Sequence, residues 1–109
     1  MARDKALEAL VNEELASLTG ITEKAMFGGL AWLWRGNLLV GASNRGLLLR
    51  IGESNEEWAL KIPGVIPMMN GQRRMRGYVR AGAEVYVSDT LRGELISAAI
   101  QFVRGLPKK

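Results

Sequence analysis

A chain of 109 residues, 48% hydrophobic and 24% charged, has the size and make-up of one folded domain with one core, spanning 1–109. It has no cysteine and no histidine, which closes off disulfides, the usual nitrogen and sulfur zinc sites and the commonest general base. The net charge of +4 is uneven: residues 1–60 hold six basic and eight acidic side chains, residues 61–109 nine and three. That imbalance bears on partners, not on fold.

The opening Met1-Ala2-Arg3-Asp4-Lys5 runs straight into an amphipathic pattern and does not read as a signal peptide. No apolar run approaches the roughly 20 residues of a membrane span, so the expectation is a cytoplasmic protein with no membrane partner.

Asp4 is placed to cap a first helix whose apolar stripe is Leu7, Leu10, Val11, Leu15 and Leu18. Gly20 is its expected stop. From Lys24 the pattern turns to strands. Met26 to Trp34 reads as one strand with a bulge or bend at Gly28-Gly29, and Arg35-Gly36-Asn37 turns it. Leu38 to Ala42 and Leu47 to Ile51 complete an antiparallel meander around Ser43-Asn44-Arg45-Gly46. Leu30, Trp32 and Trp34 would face one side, and Ala31 and Leu33 the other. Such a strand needs cover on both faces, by helices or by a second copy of the chain.

Ser54-Asn55-Glu56-Glu57 has the form of a capping box opening a short helix that carries Trp58 and Ile62 inward and stops by Pro63-Gly64. Ile66 to Arg80 reads as a hairpin turning at Asn70-Gly71. The last helix begins near Ser88-Asp89, buries Leu91, Leu95, Ala98, Ala99, Phe102 and Leu106, and ends at Gly105 before a basic Pro107-Lys108-Lys109 tail. The expected class is α+β in order α-β-β-β-α-β-β-α: two layers, helices packed on an antiparallel sheet of about five strands.

The stretches Ala25-Met26-Phe27-Gly28-Gly29-Leu30, Leu47-Leu48-Leu49-Arg50-Ile51-Gly52 and Asn70-Gly71-Gln72-Arg73-Arg74-Met75-Arg76-Gly77-Tyr78-Val79 occur in that order. They are followed by Ala99-Ile100-Gln101-Phe102-Val103-Arg104-Gly105-Leu106-Pro107. Together they resemble the TfoX N-terminal domain family of bacterial competence regulators and their stand-alone relatives, over roughly Leu7 to Lys109. The resemblance implies a compact α+β domain with no assigned catalytic residues. The family's competence regulators carry a further C-terminal helical domain, for which this sequence has no counterpart. Ala81-Gly82-Ala83-Glu84 departs from the acidic, proline-containing turn of relatives.

The strand from Arg73 to Arg80 is the most distinctive surface. Alternation sends Arg74, Arg76, Tyr78 and Arg80 to one side and Met75, Gly77 and Val79 to the other, with Arg73 beside them. Guanidiniums interleaved with an aromatic ring suit phosphate contact and base stacking. They equally suit a solvated face paired with acids from the N-terminal half, or a protein partner. Gly28-Gly29 lacks the lysine and hydroxyl residue of a nucleotide loop. Trp32, Trp34 and Trp58 are candidates for core or dimer interface ahead of a small-molecule pocket. Met68-Met69 beside Pro67 offers an adaptable surface or a gap filler. Glu13-Glu14 and Glu56-Glu57 diverge around their helices, so no catalytic constellation can be drawn.

The functional expectation is thus a non-enzymatic regulatory or interaction module without metal or cofactor, forming a homodimer through its apolar sheet. Direct nucleic-acid binding through the basic strand is the alternative. A small-molecule binder or enzyme at the tryptophans is a distant third.

Overall fold

In a computed structural model, residues 3–26 and 28–108 are described. Phe27 of the Met-Phe-Gly-Gly element and Lys109 of the basic tail lie outside them, with Met1 and Ala2. Helix α1 (Lys5–Leu15) starts where Asp4 accepts a hydrogen bond from the Leu7 N–H at 3.1 Å. That is the expected cap. The strands are β1 (Ile21–Met26), β2 (Gly29–Trp34), β3 (Asn37–Ser43), β4 (Gly46–Arg50), β5 (Val65–Asn70) and β6 (Arg73–Ala81). A 3₁₀ turn (Glu53–Asn55) and α2 (Glu56–Leu60) lie between β4 and β5, and α3 (Ala83–Tyr86) and α4 (Asp89–Arg104) follow β6.

All pairings in the sheet are antiparallel, in the order β1-β2-β3-β4-β6-β5. The α+β class holds, with six strands in place of five. The extra strand arises because the chain turns just before Gly29: Gly29 opens β2 paired with Met26, and Gly28 takes φ +72° in the turn. A left-handed residue beside a two-residue gap closes a hairpin, and glycine adopts that conformation without strain. Gly20 does not end α1, which stops at Leu15 with its C-cap at Ala16. Gly20 leads directly into β1.

Register fixes the two faces of the sheet. The rung Trp32–Val40–Leu49–Val79 belongs to the hydrophobic core, together with Leu7, Val11, Leu95, Ile96, Ala99 and Val103 from α1 and α4. Leu48 and Leu49 are neighbours on β4, so the adjacent rung Ala31–Gly41–Leu48–Arg80 faces the other way. The helices therefore collect on one layer; on the second face Ala31, Gly41 and Leu48 are buried and Arg80 is half-buried. Ala31 and Trp32 are 0% and 1% exposed. At these two positions β2 is covered on both faces inside one chain, while Leu30, Leu33 and Trp34 are half-buried.

Two further expectations are corrected. Ser54 makes no cap: residues 53–55 tighten into the 3₁₀ turn and the helix starts at Glu56, with no side-chain cap bond at Asn55. Glu56 and Ala59 are the buried positions of α2. Two residues advance a helix by about 200°, so turning Glu56 inward turns Trp58 outward, where it is 37% exposed. Ile62 does pack against the core. In α4, capped by Ser88, buried Ile96 and Val103 join Leu95, Ala98 and Ala99, whereas Leu91, Phe102 and Leu106 are half-buried.

Candidate binding site on the open face of the sheet

The basic strand does not keep one face. Pro67 pairs with Val79, but Met69 pairs with Arg74, so β6 carries extra residues between those rungs. Gly77, at φ +84°, is the hinge of this bulge. Its N–H is taken by the Glu56 carboxylate, and its carbonyl accepts from the N–H groups of Ile51 and Gly52 at 2.9 and 3.0 Å. A peptide so engaged is lost to β5 pairing, and alternation breaks there.

The arginines consequently part company. Arg74 donates to Glu56 at 3.0 Å, in line with the expected pairing to acids of the N-terminal half. Arg73 is exposed at the hairpin end. Arg76 lies in a small cleft with Arg50, Glu53 and Phe102. Tyr78 is half-buried, with the Arg50 guanidinium 5.5 Å from its ring centre. Arg80 lies over the open face of the sheet. There it shares a cavity with Met75, a residue that strict alternation puts on the opposite side.

That cavity has a volume of about 580 Å³. Its walls come from β3 (Leu38), the β3–β4 turn (Asn44, Arg45), β5 (Met68, Met69) and β6 (Met75, Tyr78, Arg80). Among the described residues no carboxylate lines it. Among the described residues neither Arg45 nor Arg80 is in a salt bridge. Burial, and secondarily the charge of Arg45, push the Arg80 guanidinium below its ordinary value. Both effects disfavour a cation left without a counter-charge.

Four acids, Glu8, Glu14, Glu56 and Asp89, are paired with other arginines. Glu8 is held below the ordinary carboxylate range chiefly by its hydrogen bond from Arg3, whose Nη2 lies 2.8 Å away. Arg92, with its side chain 7% exposed, binds Glu14 at 3.0 Å and Asp89 at 2.7 Å and donates to the Tyr86 carbonyl at 2.7 Å. Burial opposes its charge, but Asp89 and Glu14 outweigh burial and raise its pKa. Among the described residues no three acidic side chains gather as metal ligands would, and no helix is long and apolar enough to cross a membrane.

The tryptophans fall into three environments. Trp32 is core, donating to Asn12 at 3.0 Å. Trp34 packs against the core edge with Arg35 4.6 Å from its ring centre. Trp58 donates to Asn55 at 2.7 Å beside a shallow groove on α4. Of the cavity's residues, the sequence singles out Arg80, Tyr78, Met68 and Met69. It gives no sign of Arg45 or Asn44, which read as ordinary turn residues, nor of Glu56 as the hub that sets the bulge.

Searches of curated proteins and of solved structures return no match to this chain. A family model described as the TfoX N-terminal domain matches residues 13–103. The match takes in every strand of the sheet, the bulged β6 and nearly all of α4. The chain belongs to the TfoX N-terminal domain family.

Proposed function

We propose that this chain is a non-enzymatic regulatory module that works by binding, and that its binding site is the cavity over the open face of the sheet. The family is of regulatory type and is not a known enzyme family. Competence or transcriptional control is the finer role in keeping with that membership. The observation that carries the reading is Arg80: a half-buried guanidinium facing Arg45 across a cavity with no acid in it. A fold does not retain such a group for stability, because a buried charge without a partner is costly. A binding partner with an anionic group supplies the missing counter-charge. The cavity holds no acid–base pair, so what it offers is capture, not turnover.

Binding of nucleic acid along β6 has less to draw on. Arg74 is neutralised by Glu56 and Arg80 is withdrawn into the cavity, which leaves Arg73 and Arg76 as the strand's exposed cations. Two guanidiniums give weak, strongly salt-dependent contact.

The test is thermal. Arg80→Met keeps an unbranched stem and removes the guanidinium with its charge. If Arg80 serves binding, the free variant melts higher than the parent, by about 4 °C for ~1 kcal/mol in a domain of this size. A variant that melts lower assigns Arg80 a structural role and removes this site from consideration.

A further inference from the structure

The cavity's chemistry narrows what enters it. A volume of about 580 Å³ is within the range of small-molecule sites and too small to admit a folded partner or a duplex. Its apolar wall is Leu38, Met68, Met69 and Met75. Three of these four are methionines, unbranched side chains that reshape around flexible aliphatic or aromatic bodies. Met69 is 49% exposed and Met68 only 7%, so one reaches into the mouth while the other stays beneath it. The polar groups are two guanidiniums, two neutral amides (Asn44 and Asn70) and Tyr78. Cationic donors without a carboxylate to pair with, set beside an apolar wall, describe the inverse of an amphipathic acid.

We propose that the open-face cavity binds a small carboxylic acid with an apolar body, its carboxylate held between Arg80 and Arg45 and its body laid against the methionines. Arg80 takes the larger share, because it is the more buried of the two and its charge-assisted hydrogen bonds form where water competes least. Arg45, exposed on the β3–β4 turn, guards the entrance and contributes less. The inference rests on the binding reading above and sharpens it to a substrate class. Neither arginine can be replaced by lysine without losing the planar fork that matches a carboxylate.

The experiment is isothermal titration of the whole chain with decanoate below its micelle concentration. Decanol (the same body without charge), decylamine (the opposite charge) and acetate (the head alone) are the comparators. Decanoate is expected to bind and the other three to give no measurable heat. Arg80→Met should weaken decanoate at least tenfold, the loss of one charge-assisted contact pair, and Arg45→Ser about threefold. Both variants should keep the parent's circular dichroism. Equal binding of decanol, or affinity unchanged in Arg80→Met, would overturn the proposal by showing that grease alone is recognised. No decanoate binding would also overturn it. In that event, a higher melting temperature of Arg80→Met would still leave the cavity a binding site, for an anion of another kind. A fall in melting temperature would end both readings.

Discussion

At the scale of the residue, Glu56 decides more than any other side chain near the site. One carboxylate oxygen holds Arg74 and the other takes the Gly77 N–H, while the residue is only 8% exposed. Removing it strands a buried N–H and frees a guanidinium in one step, and each such loss is worth about 1–3 kcal/mol. Glu56→Ala should lower stability by about 2–4 kcal/mol in urea unfolding. Glu56→Gln, which can still accept from Gly77, should cost about half as much. A smaller loss in Glu56→Ala than in Glu56→Gln would show that the acceptor bond is not what holds the bulge. This position was illegible beforehand because Ser54-Asn55-Glu56-Glu57 matches a capping box, a local pattern. The tertiary demand of Gly77, 21 residues on, overrode it.

At the scale of the element, what sequence reading recovers is what local chemistry dictates. The caps at Asp4 and Ser88 and the turn at Arg35-Gly36, where φ is +52° and +84°, fall where expected. The second hairpin is also where predicted, although its turn is Gly71-Gln72 and Asn70 stays in the strand, paired with Arg73. The errors come from bends that need a distant partner to declare themselves. Gly28-Gly29 is compatible with a bulge or a hairpin, and only pairing of Met26 with Gly29 chooses. In β6 period-two alternation holds from Tyr78 to Arg80 and fails at Gly77, so the cavity joins Met75 to Arg80 against the pattern. Gly77→Ala tests that hinge. It adds a Cβ 3.3 Å from the Gly52 Cα on a backbone at φ +84°, and the combined strain should cost about 1–3 kcal/mol. Because the strand would straighten, the variant should also bind decanoate more weakly while keeping both arginines. Loss of stability with binding intact would show that the cavity does not depend on the bulge.

At the scale of the whole molecule, the question is whether one copy suffices. The expected homodimer drew on an apolar β2, of which Ala31 and Trp32 are covered by their own chain and Leu30, Leu33 and Trp34 are half-buried. Among the described residues the large apolar side chains left in the open are scattered: Trp58, Ile66, Met69 and Val87, at 37%, 56%, 49% and 65% exposure. Ile66 and Met69 stand on β5, an edge strand that carries Pro67 and so offers one N–H fewer to another sheet. The opposite edge, β1, shows Glu23 and Lys24 to solvent, charges of the kind that discourage edge pairing. Light scattering should return 12.0 kDa. Twice that mass would restore the second copy as partner and place it over Ile66 and Met69. The radius of gyration, 12.6 Å, is close to the roughly 13 Å of one compact domain of this length.

The arginine at position 92 also has something to say about how this molecule is made. It ties α4 to Glu14 on α1 across 78 positions of sequence, and Tyr86 meets Asp4 at 3.5 Å from farther still. During synthesis α1 emerges first, and its apolar stripe stays open until β2 and β3, the strands it lies against, have followed. An 11-residue helix is marginal alone in water. The sheet can begin to pair hairpin by hairpin, but its helical layer closes late. Until β2 and β3 have been made the nascent chain exposes Leu7, Val11 and Leu15, which makes α1 the segment that a chaperone would meet.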